Sequence, residues 1–142
     1  EEVDGIEDLY NPDTYYMQNL YPARTIQEYG GVLVNGSDAP VGNRDPMPFM
    51  SLQQAVFRSN GEVVMNPAQR IDIHSAIEAF TINGARLFGH ADRLGSIEVG
   101  KTADLIVLDQ NIVSLAEANR PDEISNTNVT LTVFNGKIVY EQ

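Results

Sequence analysis

The apolar positions of the chain change rhythm along its length. From Ile73 to Phe88 they recur at helical spacing, through Ile77, Phe80, Gly84 and Ala85. Such a stripe predicts an amphipathic helix. Asp72 stands where an N-cap belongs, and Gly89 where the left-handed residue after a helix belongs. Val32-Leu33-Val34 is a short β-branched run closed by Gly36, which predicts a fully buried strand of the parallel kind. Pro22 to Tyr29 predicts a short helix with Pro22 in its first turn, ended by Gly30-Gly31. Ser51 to Arg58 predicts another, with Ser51 as N-cap, Gln54 three residues on, and Asn60-Gly61 as its stop.

After Leu94 the texture turns to β. Ala103 to Leu108 and Val129 to Phe134 predict strands, and Asp109-Gln110-Asn111 predicts a turn. Asn135-Gly136 is a strong hairpin signal, because both central positions of a type I′ turn need positive φ. Lys137 to Tyr140 then pairs back. The pattern therefore reads as α/β over residues 1–92 and mostly β over 93–142, with a boundary near Arg93. No internal repeat or low-complexity segment interrupts it.

Composition narrows the function classes. Hydrophobic residues make up 42% and charged residues 20%, which suits a packed chain. Nine basic residues against twenty acidic ones give a net charge of −11. That field repels phosphate backbones and anionic lipid, so neither nucleic acid nor a membrane is expected as a partner. No apolar run approaches the roughly 20 residues that cross a bilayer. There is no cysteine, so disulfides and thiolate ligands are excluded.

Asp38 is the leading chemical candidate. It follows Gly36-Ser37 at the C-terminal end of the expected strand, the edge where α/β proteins assemble their sites. A carboxylate there can ligate a metal or take a proton. The pattern alone equally allows an Asp that caps its own turn. Arg58, at the end of the next helix, reads as a buried ion-pair partner. Arg44 reads as solvated. His74 reads as an exposed helix residue, and His90 as a neighbour of a helix C-terminus. Thr81 and Asn83 fit local hydrogen bonds in a packed helix. Lys101 and Asp104 read as structural.

Several runs carry a family resemblance. Val34-Asn35-Gly36-Ser37-Asp38-Ala39-Pro40-Val41 resembles the strand-eight motif of the amidohydrolase superfamily, in particular amidohydrolase family 3. Ala55-Val56-Phe57-Arg58 and Ala79-Phe80-Thr81-Ile82-Asn83-Gly84-Ala85 resemble the helices that follow it. Leu94-Gly95-Ser96-Ile97 through Leu108-Asp109 resembles the return into that superfamily's β domain, and Val133 to Tyr140 its closing hairpin. The resemblance covers about Tyr21 to Gln142.

It implies that residues 1–92 are the last strand–helix elements of a (β/α)8 TIM barrel. Residues 93–142 would be strands of a small β-sandwich. It implies a metal-dependent hydrolase of non-peptide C–N bonds in small-molecule substrates, with Asp38 as catalytic group and metal ligand. Arg58 would face substrate, and a divalent metal, zinc by analogy, would be held by the full-length parent. Such a site also needs a His-x-His pair, another carboxylate or carboxylated lysine, and further histidines. The chain has only His74 and His90. The expectation is a C-terminal fragment, inactive and without metal by itself. The rival expectation is a non-catalytic binding or self-association module. A homo-oligomer is expected under either.

Overall fold

A computed structural model describes residues 11, 13–41, 44–59 and 63–142. Their helices are α1 (Tyr15–Gln18), α2 (Ala23–Glu28), α3 (Pro48–Phe57), α4 (Ile73–Phe80), α5 (Ile82–Leu87), α6 (Ile112–Glu117) and α7 (Pro121–Ser125). The strands are β1 (Leu105–Leu108), β2 (Val129–Phe134) and β3 (Lys137–Glu141), and Pro67–Gln69 forms a 3-10 turn. No helix among them is long and apolar enough to cross a membrane.

Local chemistry accounts for most boundaries. Asp72 caps α4 by accepting the Ser75 N–H at 2.9 Å, as expected. Gly89 has φ +71. The His90 N–H reaches the Ala85 carbonyl at 2.8 Å and the Gly89 N–H the Arg86 carbonyl at 3.1 Å, which is the Schellman arrangement. Asn135 and Gly136 take φ 49 and 75, so the hairpin forms where its turn residues call for it. The Asp104 carboxylate accepts the Asn135 N–H at 2.6 Å, which gives it the structural role expected.

Four expectations need correction. The stripe from Ile73 to Phe88 is two helices rather than one. Thr81, with φ −130 and ψ −99, breaks it, and its hydroxyl donates back to the Ile77 carbonyl at 2.7 Å, a bond that bends helices. The helix expected from Ser51 begins a turn earlier, at Pro48 in its first position; proline suits that site because the first N–H has no acceptor anyway. Its expected stop at Asn60-Gly61 lies outside the described residues. The helix ends at Arg58, which is left-handed.

The segment Val32–Val34 is extended but forms no strand among the described residues. Val32 and Val34 remain 64% and 44% exposed. A parallel strand needs a neighbour to take its backbone groups. The described residues offer none.

Residues 93–142 are also not mostly β. Asn111 caps α6 by accepting from the Val113 and Ser114 N–H groups, both at 3.1 Å. Pro121 opens α7. These helices complete the core. Leu52 and Phe57 of α3 meet Ile71, Ile73 and Ala76 from the α4 region, together with Ile112, Leu115 and Ile124. Ile124 is 0% exposed, and α7 packs directly on α3. Burying such a side chain stabilises by about 1.5–3 kcal/mol. The core thus joins residues on both sides of Arg93.

The strands form an antiparallel sheet in the order β1-β2-β3. Leu105 faces Val133 and Val107 faces Leu131, while Phe134 faces Lys137. Ile106, Val107, Ile138 and Val139 stay exposed on it. Between the two halves, Gly95 at φ +90 lies against α5. A Cβ there would come within 2.7 Å of the Ile82 Cα and 2.8 Å of the Ala85 Cβ.

Candidate functional site

The broken helix holds the segment that leads to Asp38. The Ala79 carbonyl lies in the last turn of α4, where it has no following helical N–H. It accepts the Asn35 N–H at 3.0 Å instead. From the first turn of α5, the Asn83 carboxamide donates to the Leu33 carbonyl at 3.0 Å. Asn83 is 7% exposed, and its Oδ1 accepts from Arg86 at 2.8 Å. Two bonds thus pin the chain just before the Gly36–Pro40 turn. The sequence reading expected local bonds at Asn83 and missed both, because partners more than forty residues apart leave no local signal. The only hint was an asparagine inside an apolar helix pattern.

Asp38 itself is exposed and left-handed, with φ 52. Its carbonyl accepts the Val41 N–H at 2.8 Å. The next residue's N–H is bonded to the Ser37 hydroxyl at 3.3 Å. The turn is therefore closed by the Asp38 main chain and by the Ser37 hydroxyl. Asp is among the few residues that tolerate this conformation. Outliers of this kind cluster at functional sites.

Arg58 ends α3 with φ 55. Its guanidinium bonds main-chain carbonyls rather than the ion-pair partner expected. Nε donates to the Met65 carbonyl at 3.2 Å and Nη2 to the Leu20 carbonyl at 3.0 Å. Its carbon centre lies 5.9 Å from the Tyr21 ring centroid, within reach of a cation–π contact. Partial burial pulls its pKa below the ordinary value, opposed in smaller part by Tyr21. No carboxylate among the described residues pairs with it.

Asn66 joins this clasp, donating to the Gln18 carbonyl at 2.6 Å and to the Leu20 carbonyl at 3.3 Å. Tyr21, Arg58 and Asn66 are all left-handed non-glycine residues, with φ 52, 55 and 48. The clasp forms one wall of a cavity of about 670 Å³. Leu33, Val34, Met65 and Ile71 give it an apolar lining. Asp38 does not line it, so the two residues singled out from sequence are not brought together there.

His74 is exposed on α4, as expected. His90 is exposed and contacts Arg93, with Nδ1 and Nη2 3.2 Å apart. Among the described residues no three His, Asp or Glu side chains gather to hold an ion. Zinc needs at least three protein ligands. The described residues thus do not form a metal centre, and Asp38 is at most one donor to it.

Comparison with known proteins gives this geometry a family. The model of the amidohydrolase family, in its third branch, matches residues 4–140. A 5-methylthioadenosine/S-adenosylhomocysteine deaminase of Teredinibacter turnerae is 38% identical over 100 residues, covering 70% of this chain and 22% of that protein. An N-substituted formamide deformylase of Arthrobacter pascens is 31% identical over 123 residues, covering 87% of this chain and 22% of that protein. The crystal structure of an adenosine deaminase from Xanthomonas campestris with bound zinc superposes with a TM-score of 0.64 at 28% identity. That match covers 89% of this chain and 31% of that one. The chain thus spans about a fifth of the length of these two sequence relatives. With a family model running along nearly its whole length, the chain belongs to amidohydrolase family 3.

Proposed function

We propose that this chain is the C-terminal part of a metal-dependent amidohydrolase that hydrolyses non-peptide C–N bonds in small molecules through metal-activated water. Residues 1–92 supply the last strand–helix elements of a TIM barrel. Residues 93–142 supply strands of its β-sandwich. The relatives named as deaminases and a deformylase support that bond class. The structural relative with bound zinc supports that metal for the parent.

One observation carries the reading. An exposed aspartate in a left-handed turn follows a segment pinned by Asn83 and Ala79. A carboxylate held this way is preorganised to bind an ion or to accept a proton, with little reorganisation. In the parent, Asp38 is one metal ligand and the proton-accepting group. The other ligands come from outside the described residues, and the chain by itself is inactive. Arg58, on the clasp, contacts substrate.

The test is Asp38→Asn in the full-length protein. It keeps the turn and removes the charge. The expected result is a loss of turnover of about 10²–10⁴-fold with an unchanged unfolding midpoint. Turnover within twofold of the unsubstituted protein overturns the assignment.

A second reading, self-association without catalysis, is favoured by the exposed apolar side chains Ile106, Ile138 and Val139 of the sheet. Sedimentation of the chain tests it: a monomer across the concentration range removes this reading, and a defined dimer keeps it only where Asp38→Asn leaves turnover unchanged.

A further inference from the structure

We propose that the cavity beside the clasp binds a small amphiphilic anion, with an aryl or alkyl body among Leu33, Val34, Met65 and Ile71 and a carboxylate against the Arg58 guanidinium. The cavity, about 670 Å³, lies in the size range of small-molecule sites, which are mostly apolar with a few placed polar groups. Its polar lining includes Tyr21, Asn35, Ser51, Gln54, Arg58 and Ser59. Among the described residues that line it, Arg58 is the one that carries a charge. Its two bonds to carbonyls occupy two of five N–H donors. They hold the guanidinium plane still without neutralising it.

A cation fixed this way, partly desolvated and over an aromatic ring, presents a preorganised partner for an anion. The net charge of −11 does not oppose this at short range. Its field is screened beyond about 8 Å at physiological ionic strength, whereas a contact inside the cavity is not. Three left-handed non-glycine residues, Tyr21, Arg58 and Asn66, meet in the clasp.

The inference deepens the substrate-contact reading of Arg58 but is tested without turnover, so its failure leaves the Asp38 assay untouched. Phenylbutyrate, phenylbutanol and phenylbutylamine share a body and differ in charge. Each is titrated into the ¹⁵N-labelled chain. Phenylbutyrate is expected to bind about tenfold more tightly than the alcohol, with amide shifts at Leu33, Asn35, Ala55 and Met65, and the amine not to bind.

Arg58→Gln abolishes the preference for the carboxylate. Ala55→Leu, which fills the cavity and keeps the guanidinium, removes binding of both ligands. Equal affinity for carboxylate and alcohol, binding of neither, or shifts elsewhere on the chain overturns the proposal. The order carboxylate over alcohol over amine in the unsubstituted protein decides it even where Arg58→Gln fails to fold.

Discussion

Replacing Gly95 by alanine tests how closely the β half is seated on the helical half. Gly95 sits at φ +90, where an added Cβ meets the Ile82 Cα at 2.7 Å. Two costs add. Holding an L residue at positive φ costs about 1–2 kcal/mol. Forcing a methyl against backbone that must shift costs about 1–3 kcal/mol more. The expected loss is about 3 kcal/mol. For a chain of this size that lowers the melting temperature by about 12 °C, at about 4 °C per kcal/mol.

Gly100 provides the control. It has φ +95 and nothing within 4 Å of its virtual Cβ, so Gly100→Ala carries only the conformational cost of about 1–2 kcal/mol. Urea unfolding followed by circular dichroism measures both. The two variants should differ by about 2 kcal/mol, with unchanged m-values. Equal losses would refute the close approach of Gly95 to α5 and leave only φ at work.

Ile124→Ala should cost about 2–5 kcal/mol in the same urea assay, because Ile124 is fully buried in the shared core; a loss under about 1 kcal/mol would detach α7 from it. Asp72→Ala should cost about 1 kcal/mol through loss of the cap. Ser75 hydrogen bonds hold the Asp72 pKa below its ordinary value of 3.8. The carboxylate's contribution is therefore full above that value and fades as pH falls through the lower folded pKa. The stability gap between the unsubstituted protein and Asp72→Asn should close as the pH is taken below about 4, and a gap that widens there would contradict it.

Sequence patterns served where the cause is local. The Asp72 cap, the Gly89 stop and the Asn135-Gly136 hairpin each depend on a few adjacent residues, and each was legible. Asn111 and Pro121 carried the same kind of signal for α6 and α7. They were overshadowed by the β texture around them. The break at Thr81 was not legible, since threonine in a helix usually only costs a little propensity. What decides it is a return bond to Ile77 and the acceptor this frees for Asn35. Val32–Val34 has the composition of a strand, but strand formation needs a partner that composition does not supply. Asp38 was singled out by motif. The cavity beside Arg58 was not, because its walls come from distant parts of the chain.

The contact of α3 with α7 has a consequence for the order of folding. Leu52 and Ile124 belong to one core, so completing it joins residues far apart in the chain. Loop closure costs entropy before any burial repays it. Until α7 has formed, the side of α3 that it covers stays wet. A nascent chain stalled before Pro121 would present that side to chaperones rather than to its own core.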